Sequence, residues 1–375
     1  MECGDLTRED HFSKNLTTRK PRVGDWFEVR SKDEILCTLD ENGQLDGMPF
    51  MPEMFAFCGR RFQVYKRAHK TCDTVFPVRS RRVEDSVHLD TRCDGSAHGG
   101  CQAGCLIFWK LAWLKPASEG SEQQDDRVEA AMHSSAGGCD ESTVRARTIS
   151  HSSSDGLPKY SCQATQLPYA TKDLEWWDIR QYFEDYGSGN VGLWRIMCGA
   201  AYFSFLALTR VAAGPTLRRL YDKLCGLWGG SPFPRKNGTI PTGEPTPAKS
   251  LGLQAGELVR IKPFDEIRQT LNTSNRNRGL YFDAEEVPFC GKTYRVLRQV
   301  DKIINDKTGQ MQEMKTPCVI LDSVICESRY SECRLFCPRS IYPYWREIWL
   351  ERVGPAPADA PAREDSRVPT GVARN

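Results

Sequence analysis

The chain has 375 residues, with 51 Lys and Arg against 49 Asp and Glu and a formal net charge of +2. That balance offers no basic face for broad nucleic-acid binding and no polybasic anchor for an acidic membrane surface. Hydrophobic residues make up 39% and charged residues 27%, ordinary for a globular protein of two or three domains at roughly 100–200 residues each.

The opening stretch, MECGDLTREDHFSKNLTTRKPR, is charged and lacks the apolar core of a secretory signal. A cytoplasmic location is expected. In a reducing compartment, the sixteen cysteines point to metal or thiol chemistry rather than a disulfide framework.

Residues 20–115 read as a first β-rich module. WFEVR alternates apolar and polar side chains, as a half-buried strand does. SKDE at 31–34 is a capping box that opens one or two helical turns through Leu39. Gly47 marks a turn ahead of a further strand, RFQVYKRA. Next comes CDGSAHGGCQAGC, Cys93 to Cys105, with three cysteines and a histidine beside four glycines. Trp109 and Trp113 stand four apart and are expected in the core.

Residues 116–160, rich in Ser, Gly, Asp and Glu, are expected to form a disordered linker. Residues 161–228 read as a helical segment, in which Trp176, Ile179, Phe183 and Tyr186 follow the spacing of one apolar face. Within it, VGLWRIMCGAAYFSFLAL carries one charge, Arg195, and only thirteen apolar-rich residues beyond it. A membrane span needs about 20, so a core helix is expected and membrane association is not. Cys162, Cys198 and Cys225 fall in this segment as core or surface residues. Residues 229–250 form a Pro/Gly linker, 251–353 a second β-rich module, and 354–375 a Pro/Ala-rich disordered tail.

The second module repeats the first. Gly24–Val64 lies over Gly256–Val296 at a constant offset of 232, with 13 of 41 positions identical. The identities include Phe57-Cys58-Gly59 with Phe289-Cys290-Gly291. VHLD at 87–90 matches VILD at 319–322 at the same offset, and WKLAWLK at 109–115 matches WREIWLE at 345–351 at offset 236. Asn305–Gly309 reads as a hairpin turn between DKII and MQEMK. The expected class is α+β: two homologous small β-rich modules, internally duplicated, around a helical middle segment. The opening strands resemble small SH3-like barrels at the level of fold, which carries no function.

The repeat also aligns cysteines. Cys58, Cys93, Cys101 and Cys105 have counterparts in Cys290, Cys326, Cys333 and Cys337, with one residue of slippage at Cys326. Four thiolates per module are what a closed structural zinc site requires, and a metal crosslink couples directly to the folding of a small module. Two zinc ions are expected, with an iron–sulfur cluster as the alternative cofactor.

His69 and His98 have no counterpart in the second copy, so neither is a ligand common to both modules, and both are expected on exposed loops. Glu53 and Glu285, five residues before Cys58 and Cys290, are expected at solvated positions. A closed four-thiolate site does no chemistry, so the expected role is a scaffold or adaptor that binds a protein partner, with the helical segment as the candidate surface. The other readings are an iron–sulfur electron-transfer protein, and an enzyme with a site around His69, His98 and Glu53. Phosphate-cradling loops and the metalloprotease and nucleophile-elbow motifs are absent from the sequence in any supporting context.

FCG, RCDGSAHGGCQAGC and FCPRSIYPYWREIWL together resemble an uncharacterised bacterial family with two tandem cysteine-rich modules. The resemblance implies a bacterial origin and carries over no activity, cofactor or site residue.

Overall fold

The computed structural model describes residues 19–75, 79–117, 139–150, 157–211, 214–227 and 230–354. The chain divides into two units. The first comprises Met1–Trp228, Lys302–Glu313 and Ile325–Tyr342, and the second Gly229–Asp301, Met314–Val324 and Pro343–Asn375.

The first unit begins with β1 (Trp26–Val29), α1 (Lys32–Leu36), β2 (Gln44–Leu45), β3 (Met48–Pro49), β4 (Arg61–Arg67) and β5 (Lys70–Asp73). It continues with β6 (Arg79–Arg82), β7 (Ser86–Leu89), β8 (Trp109–Lys110) and β9 (Leu114–Pro116). Then follow α2 (Glu141–Ala146), β10 (Ile149–Ser150), β11 (Lys159–Tyr160), α3 (Gln163–Ala170), β12 (Lys172–Leu174), α4 (Arg180–Gly187), α5 (Leu193–Val211) and α6 (Gly214–Leu227).

Five strands form an antiparallel sheet in the order β8-β7-β4-β1-β9. The alternation read in WFEVR places Phe27 and Val29 inward, over Ile35, Met48, Met54, Trp109 and Trp113. Both indoles are fully buried, and their N–H groups are satisfied: Trp109 donates to Thr91 Oγ1 at 2.9 Å and Trp113 to Thr38 Oγ1 at 3.1 Å. Truncating such a side chain to alanine costs about 3–5 kcal/mol. The expected capping box opens α1, with Ser31 Oγ accepting from Glu34 N–H and Ser31 N–H donating to Glu34 Oε2. A smaller sheet, β12-β6-β5, sets Cys72 opposite Ser80.

The second unit contains β13 (Leu258–Ile261), α7 (Phe264–Arg268), β14 (Arg276–Asn277), β15 (Leu280–Tyr281), β16 (Thr293–Ile304), β17 (Met311–Leu321), β18 (Trp345–Arg346) and β19 (Leu350–Arg352). The tip of the β16–β17 hairpin, Lys302–Glu313, groups with the first unit. The sheet order is β18-β17-β16-β13-β19. Three of its pairings, β13 with β16, β13 with β19 and β17 with β18, follow those of the first sheet residue for residue. Phe27↔Phe62 corresponds to Val259↔Tyr294, Val29↔Leu114 to Ile261↔Leu350, and Val87↔Trp109 to Val319↔Trp345. Mixed helix and small antiparallel sheets place the chain in the α+β class.

Several expectations change here. In the expected linker 116–160, residues 118–138 and 151–156 lie outside the described residues. Residues 141–146 instead form α2, because Asp140 caps it by accepting from Thr143 N–H at 2.7 Å, and β10 pairs with β11. The expected linker 229–250 runs against the second unit's own residues: Phe233 is fully buried and Ile240 bridges to Asn272. Residues 355–375 of the expected tail lie outside the described residues.

Helix α4 starts at Arg180, after Trp176 and Ile179, and its apolar residues point outward. Trp176, Ile179, Phe183 and Tyr186 are exposed, Phe183 at 72%, whereas Gln181 and Asp185 are buried. The reason is Lys70, whose buried ammonium donates to Asp185 Oδ2 at 2.6 Å, Gln181 Oε1 at 3.1 Å and the Leu335 carbonyl at 2.8 Å. A buried charge must find partners, and here it turns the polar face of α4 inward. Helix α5 likewise is only partly buried: Leu193, Trp194, Met197 and Leu208 are exposed, while Leu206 is buried, Ile196 and Phe203 pack beside Leu335 and Phe336, and Phe205 stacks on Tyr221 of α6. Among the described residues no helix is long and apolar enough to cross a membrane.

Candidate metal centre

The run Cys93 to Cys105 is a closed loop. Arg92 and Leu106 form an antiparallel bridge, and Cys93 N–H donates to the Cys105 carbonyl at 2.9 Å, so the two cysteines face each other across its neck. Gly95 and His98 are joined by a turn, with His98 N–H donating to the Gly95 carbonyl at 2.9 Å. Gly95 has φ +74°, and a Cβ there would stand 2.1 Å from the Cys101 carbonyl oxygen. Only glycine fits both constraints.

The loop meets Glu53, which lies in a short 3₁₀ helix, Pro52–Phe57. Glu53 Oε1 accepts from Ala97 N–H at 3.0 Å, lies 2.7 Å from His98 Nδ1 and 3.8 Å from Cys93 Sγ. On the far edge of the ring, His98 Nε2 lies 3.1 Å from the Ser161 carbonyl oxygen. Both Glu53 and His98 are buried, which corrects their expected exposure. Burial raises the Glu53 pKa, but the hydrogen bond and charge of His98, with the Ala97 N–H, more than offset this and hold it below the ordinary value.

The donor atoms of Glu53, Cys93 and His98 all lie within 4.8 Å of one another, the one such group of three among the described residues. Bond lengths of about 2.0–2.3 Å place the donors of a tetrahedral zinc site about 3.3–3.8 Å apart. The histidine also has the support a ligand needs, since metal-binding imidazoles hold their second nitrogen on a carbonyl or carboxylate.

Cys93, His98, Cys101, Cys105 and Cys162 line a common cavity of about 30 Å³, room for more than a single water molecule. Three of the four cysteines expected for the first module therefore share one cavity. The fourth, Cys58, ends the 3₁₀ helix and packs on the edge of the core, outside that lining. Cys162, which the repeat does not single out, enters as the residue preceding α3. Burial pushes the thiols of Cys58 and Cys105 up to about 11 and that of Cys162 to about 12; Cys93 rises further, with Glu53 adding to burial. Protonated thiols are poor nucleophiles, so a Cys/His nucleophile gains no support here.

The second expected set is divided by the fold. Cys290 lies in the second unit, where its thiol donates to the Glu286 carbonyl at 3.9 Å. Cys326, Cys333 and Cys337 lie in the first. Cys337 is buried and its Sγ accepts from Cys72 N–H at 3.1 Å, Cys326 Sγ lies 3.5 Å from Ser328 Oγ, and Cys333 is exposed. The hydrogen bond with Cys337 and the charges of Arg339 and Arg334 hold Cys72 below the ordinary thiol value, against its burial; burial pushes Cys337 up.

His69 is also buried, but belongs elsewhere. Its Nε2 lies 3.2 Å from Asp185 Oδ1, and it lines a polar cavity of about 260 Å³ with Arg67, Arg82 and Glu184. The two histidines therefore serve different cavities.

Sequence reasoning placed Glu53 and His98 only in an alternative enzyme site, not among the metal ligands, and gave Cys162 no site role. The signal for His98 was present: Cys93-x4-His98-x6-Cys105 places a nitrogen donor between two thiols. It was discounted because the second copy lacks the histidine. No family model and no curated protein matches the chain.

Proposed function

We propose that this chain is a zinc protein, with one ion held by Glu53, Cys93, His98 and Cys105. The observation that carries this reading is the convergence of Glu53 Oε1, Cys93 Sγ and His98 Nδ1 within 4.8 Å, with His98 Nε2 facing a carbonyl. Cys105 supplies the fourth donor because it faces Cys93 across the loop neck and lines the same cavity. Cys101 and Cys162 complete the wall. A donor set that mixes carboxylate, imidazole and thiolate favours zinc over an iron–sulfur cluster, which is held by thiolates.

The site ties together a 3₁₀ helix, a loop and the start of α3, so its role is structural. The matching strand orders and registers of the two sheets support an internal duplication of one SH3-like module. The lack of disulfides among the described cysteines accords with a reducing, cytoplasmic location. A role as scaffold or adaptor draws support from the outward row of Trp176, Ile179, Phe183 and Tyr186, since large exposed apolar patches mark interaction surfaces.

Elemental analysis of anaerobically purified protein, with a visible spectrum of the same sample, tests the metal. Zinc without colour, lost in Cys93→Ser and His98→Ala, is the expected result. Iron with sulfide and visible absorbance would replace this reading with an electron-transfer protein.

A further inference from the structure

We infer that the first unit binds a phosphorylated sugar in the polar cavity at His69, with the sugar inside and the phosphate at a basic mouth. The site is separate from the proposed metal centre and does not depend on it.

The cavity, of about 260 Å³, lies between the end of β4, the turn from β6 to β7 and α4. Backbone hydrogen bonds fix its walls. Ala68 N–H donates to the Ser86 carbonyl at 3.0 Å, Val83 N–H to the His69 carbonyl at 3.1 Å and Leu111 N–H to the Asp85 carbonyl at 2.8 Å. Asn190 clamps the backbone of Arg67, accepting from its N–H and donating to its carbonyl, each at 2.8 Å. A site held in this way is formed before its ligand arrives, which lowers the cost of binding.

Three features of the lining select the ligand. The first is alternating charge, since Arg67 and Arg82 face the same space as Glu84, Asp85 and Glu184. Guanidiniums only donate and carboxylates only accept, so such walls match a group that does both. Sugar hydroxyls do both. Apolar lining is limited to Pro21, Val83 and Leu111, too little to hold a mainly apolar ligand.

The second feature is His69. It lines the cavity at 3% exposure, and its Nδ1 has no hydrogen-bond partner among the described residues. Buried polar atoms nearly always have one, and a ligand hydroxyl would supply it.

The third is an adjoining open basin of about 470 Å³, which shares Lys20, Arg67 and Glu184 with the cavity and adds Arg19 and Arg22. Arg19 pairs with Asp25, which leaves Lys20, Arg22 and Arg67 around the single carboxylate of Glu184. That carboxylate is itself shared: Arg82 Nη1 lies 3.2 and 3.3 Å from its two oxygens, and Arg67 Nη2 lies 3.8 Å from one of them. The basin holds more positive charge than it balances, and a phosphate would complete it.

The second module shows that the fold does not require these groups. At the offset of 232, the core residues Val64 and Val87 recur as Val296 and Val319. Arg67, His69, Arg82 and Asp85 fall instead on Gln299, Asp301, Met314 and Pro317.

The test is isothermal titration calorimetry on the full chain with ribose 5-phosphate and glucose 6-phosphate, beside inorganic phosphate, ribose and glucose. At least one ester should bind about tenfold or more tightly than phosphate or its own free sugar. Lys20→Glu, exposed at the mouth, should weaken both the ester and phosphate. Asp85→Asn should weaken the ester and leave phosphate unchanged. Asp85 is exposed and has φ +44°, a conformation that asparagine also tolerates, so this variant keeps its fold; circular dichroism checks both variants.

The inference is overturned if neither ester gives saturable heat at millimolar concentration. Phosphate binding as tightly as the esters also overturns it, marking an adventitious ion only, as does a free sugar binding as tightly as its ester. Ester affinity unchanged in Lys20→Glu or in Asp85→Asn places any binding elsewhere and overturns it too.

Discussion

His98 Nδ1 lies 2.7 Å from Glu53 Oε1, with both side chains buried. The pair joins a loop to a 3₁₀ helix 45 residues distant in sequence. Removing the imidazole leaves a buried carboxylate without its main partner, which costs about 3–5 kcal/mol. His98→Ala should lower stability by that order in urea unfolding. Glu53→Gln, which leaves no buried charge, should lose less.

Gly95 touches neither Glu53 nor any proposed ligand through a side chain, yet Gly95→Ala should abolish metal uptake. The added methyl meets a backbone carbonyl that cannot yield without opening the loop. A destabilisation above about 1 kcal/mol is expected from an incompatible backbone at this position. Zinc content and thermal melting measured together check this.

Lys70 and Asp185 form a buried ion pair at 2.6 Å. Lys70→Met strands the carboxylate and should cost about 3–5 kcal/mol. Adding Asp185→Asn should recover much of that loss, as a double-mutant cycle would show. The same double variant should also loosen α4, raising hydrogen exchange in its amides.

His88 is buried, its pKa pulled down to about 3 by burial despite a bond of 2.8 Å from its ring to the Ile107 carbonyl. The unfolded chain takes up the proton at about 6.5. Stability from this group is therefore complete above pH 6.5 and is lost as pH falls towards 3, at up to about 1.4 kcal/mol per pH unit. His88→Asn, whatever its effect at neutral pH, should flatten that acid limb in urea titrations at stepped pH.

In the second unit the slope has the opposite sign. Burial, and then the charge of Asp283, push the Glu286 carboxyl well above its ordinary value. Stability from a raised acid is complete below about pH 4.5 and is lost as pH climbs through the folded value. Glu286→Gln keeps an acceptor for the Asp283 N–H, 3.2 Å away, and should make the second unit more stable at neutral pH. Hydrogen exchange in the amides of β13 and β16 at pH 5 and pH 8 checks it.

Much of the fold was legible because it rests on local pattern. The strands at Trp26 and Leu258, the cap at Ser31 and the hairpin at Asn305–Gly309 all follow from short-range periodicity and turn chemistry. The buried tryptophans follow from the repeat. What periodicity cannot supply is direction. Trp176, Ile179, Phe183 and Tyr186 are all exposed, the first two just ahead of α4, because Lys70, more than 100 residues earlier in the chain, draws Gln181 and Asp185 inward.

The candidate site was half legible for a related reason. Cysteines of one loop announce themselves, whereas Glu53 and Cys162 arrive from separate elements. Glycine richness suggested an exposed loop. In the structure the glycines let the loop fold back on itself, which is how His98 comes to be buried.

Trp176 and Trp177 precede α4 and Trp194 lies on α5, all three exposed, while Trp109, Trp113, Trp345 and Trp349 are fully buried. These seven described indoles thus form two optically distinct sets, with the half-buried Trp26 between them. The outer set emits further to the red and is open to collisional quenching by iodide; the inner set emits to the blue and is shielded. Whatever covers the outer face of α4 will remove quenchable fluorescence and leave the blue emission unchanged. The protein carries its own unlabelled reporter of occupancy on that face.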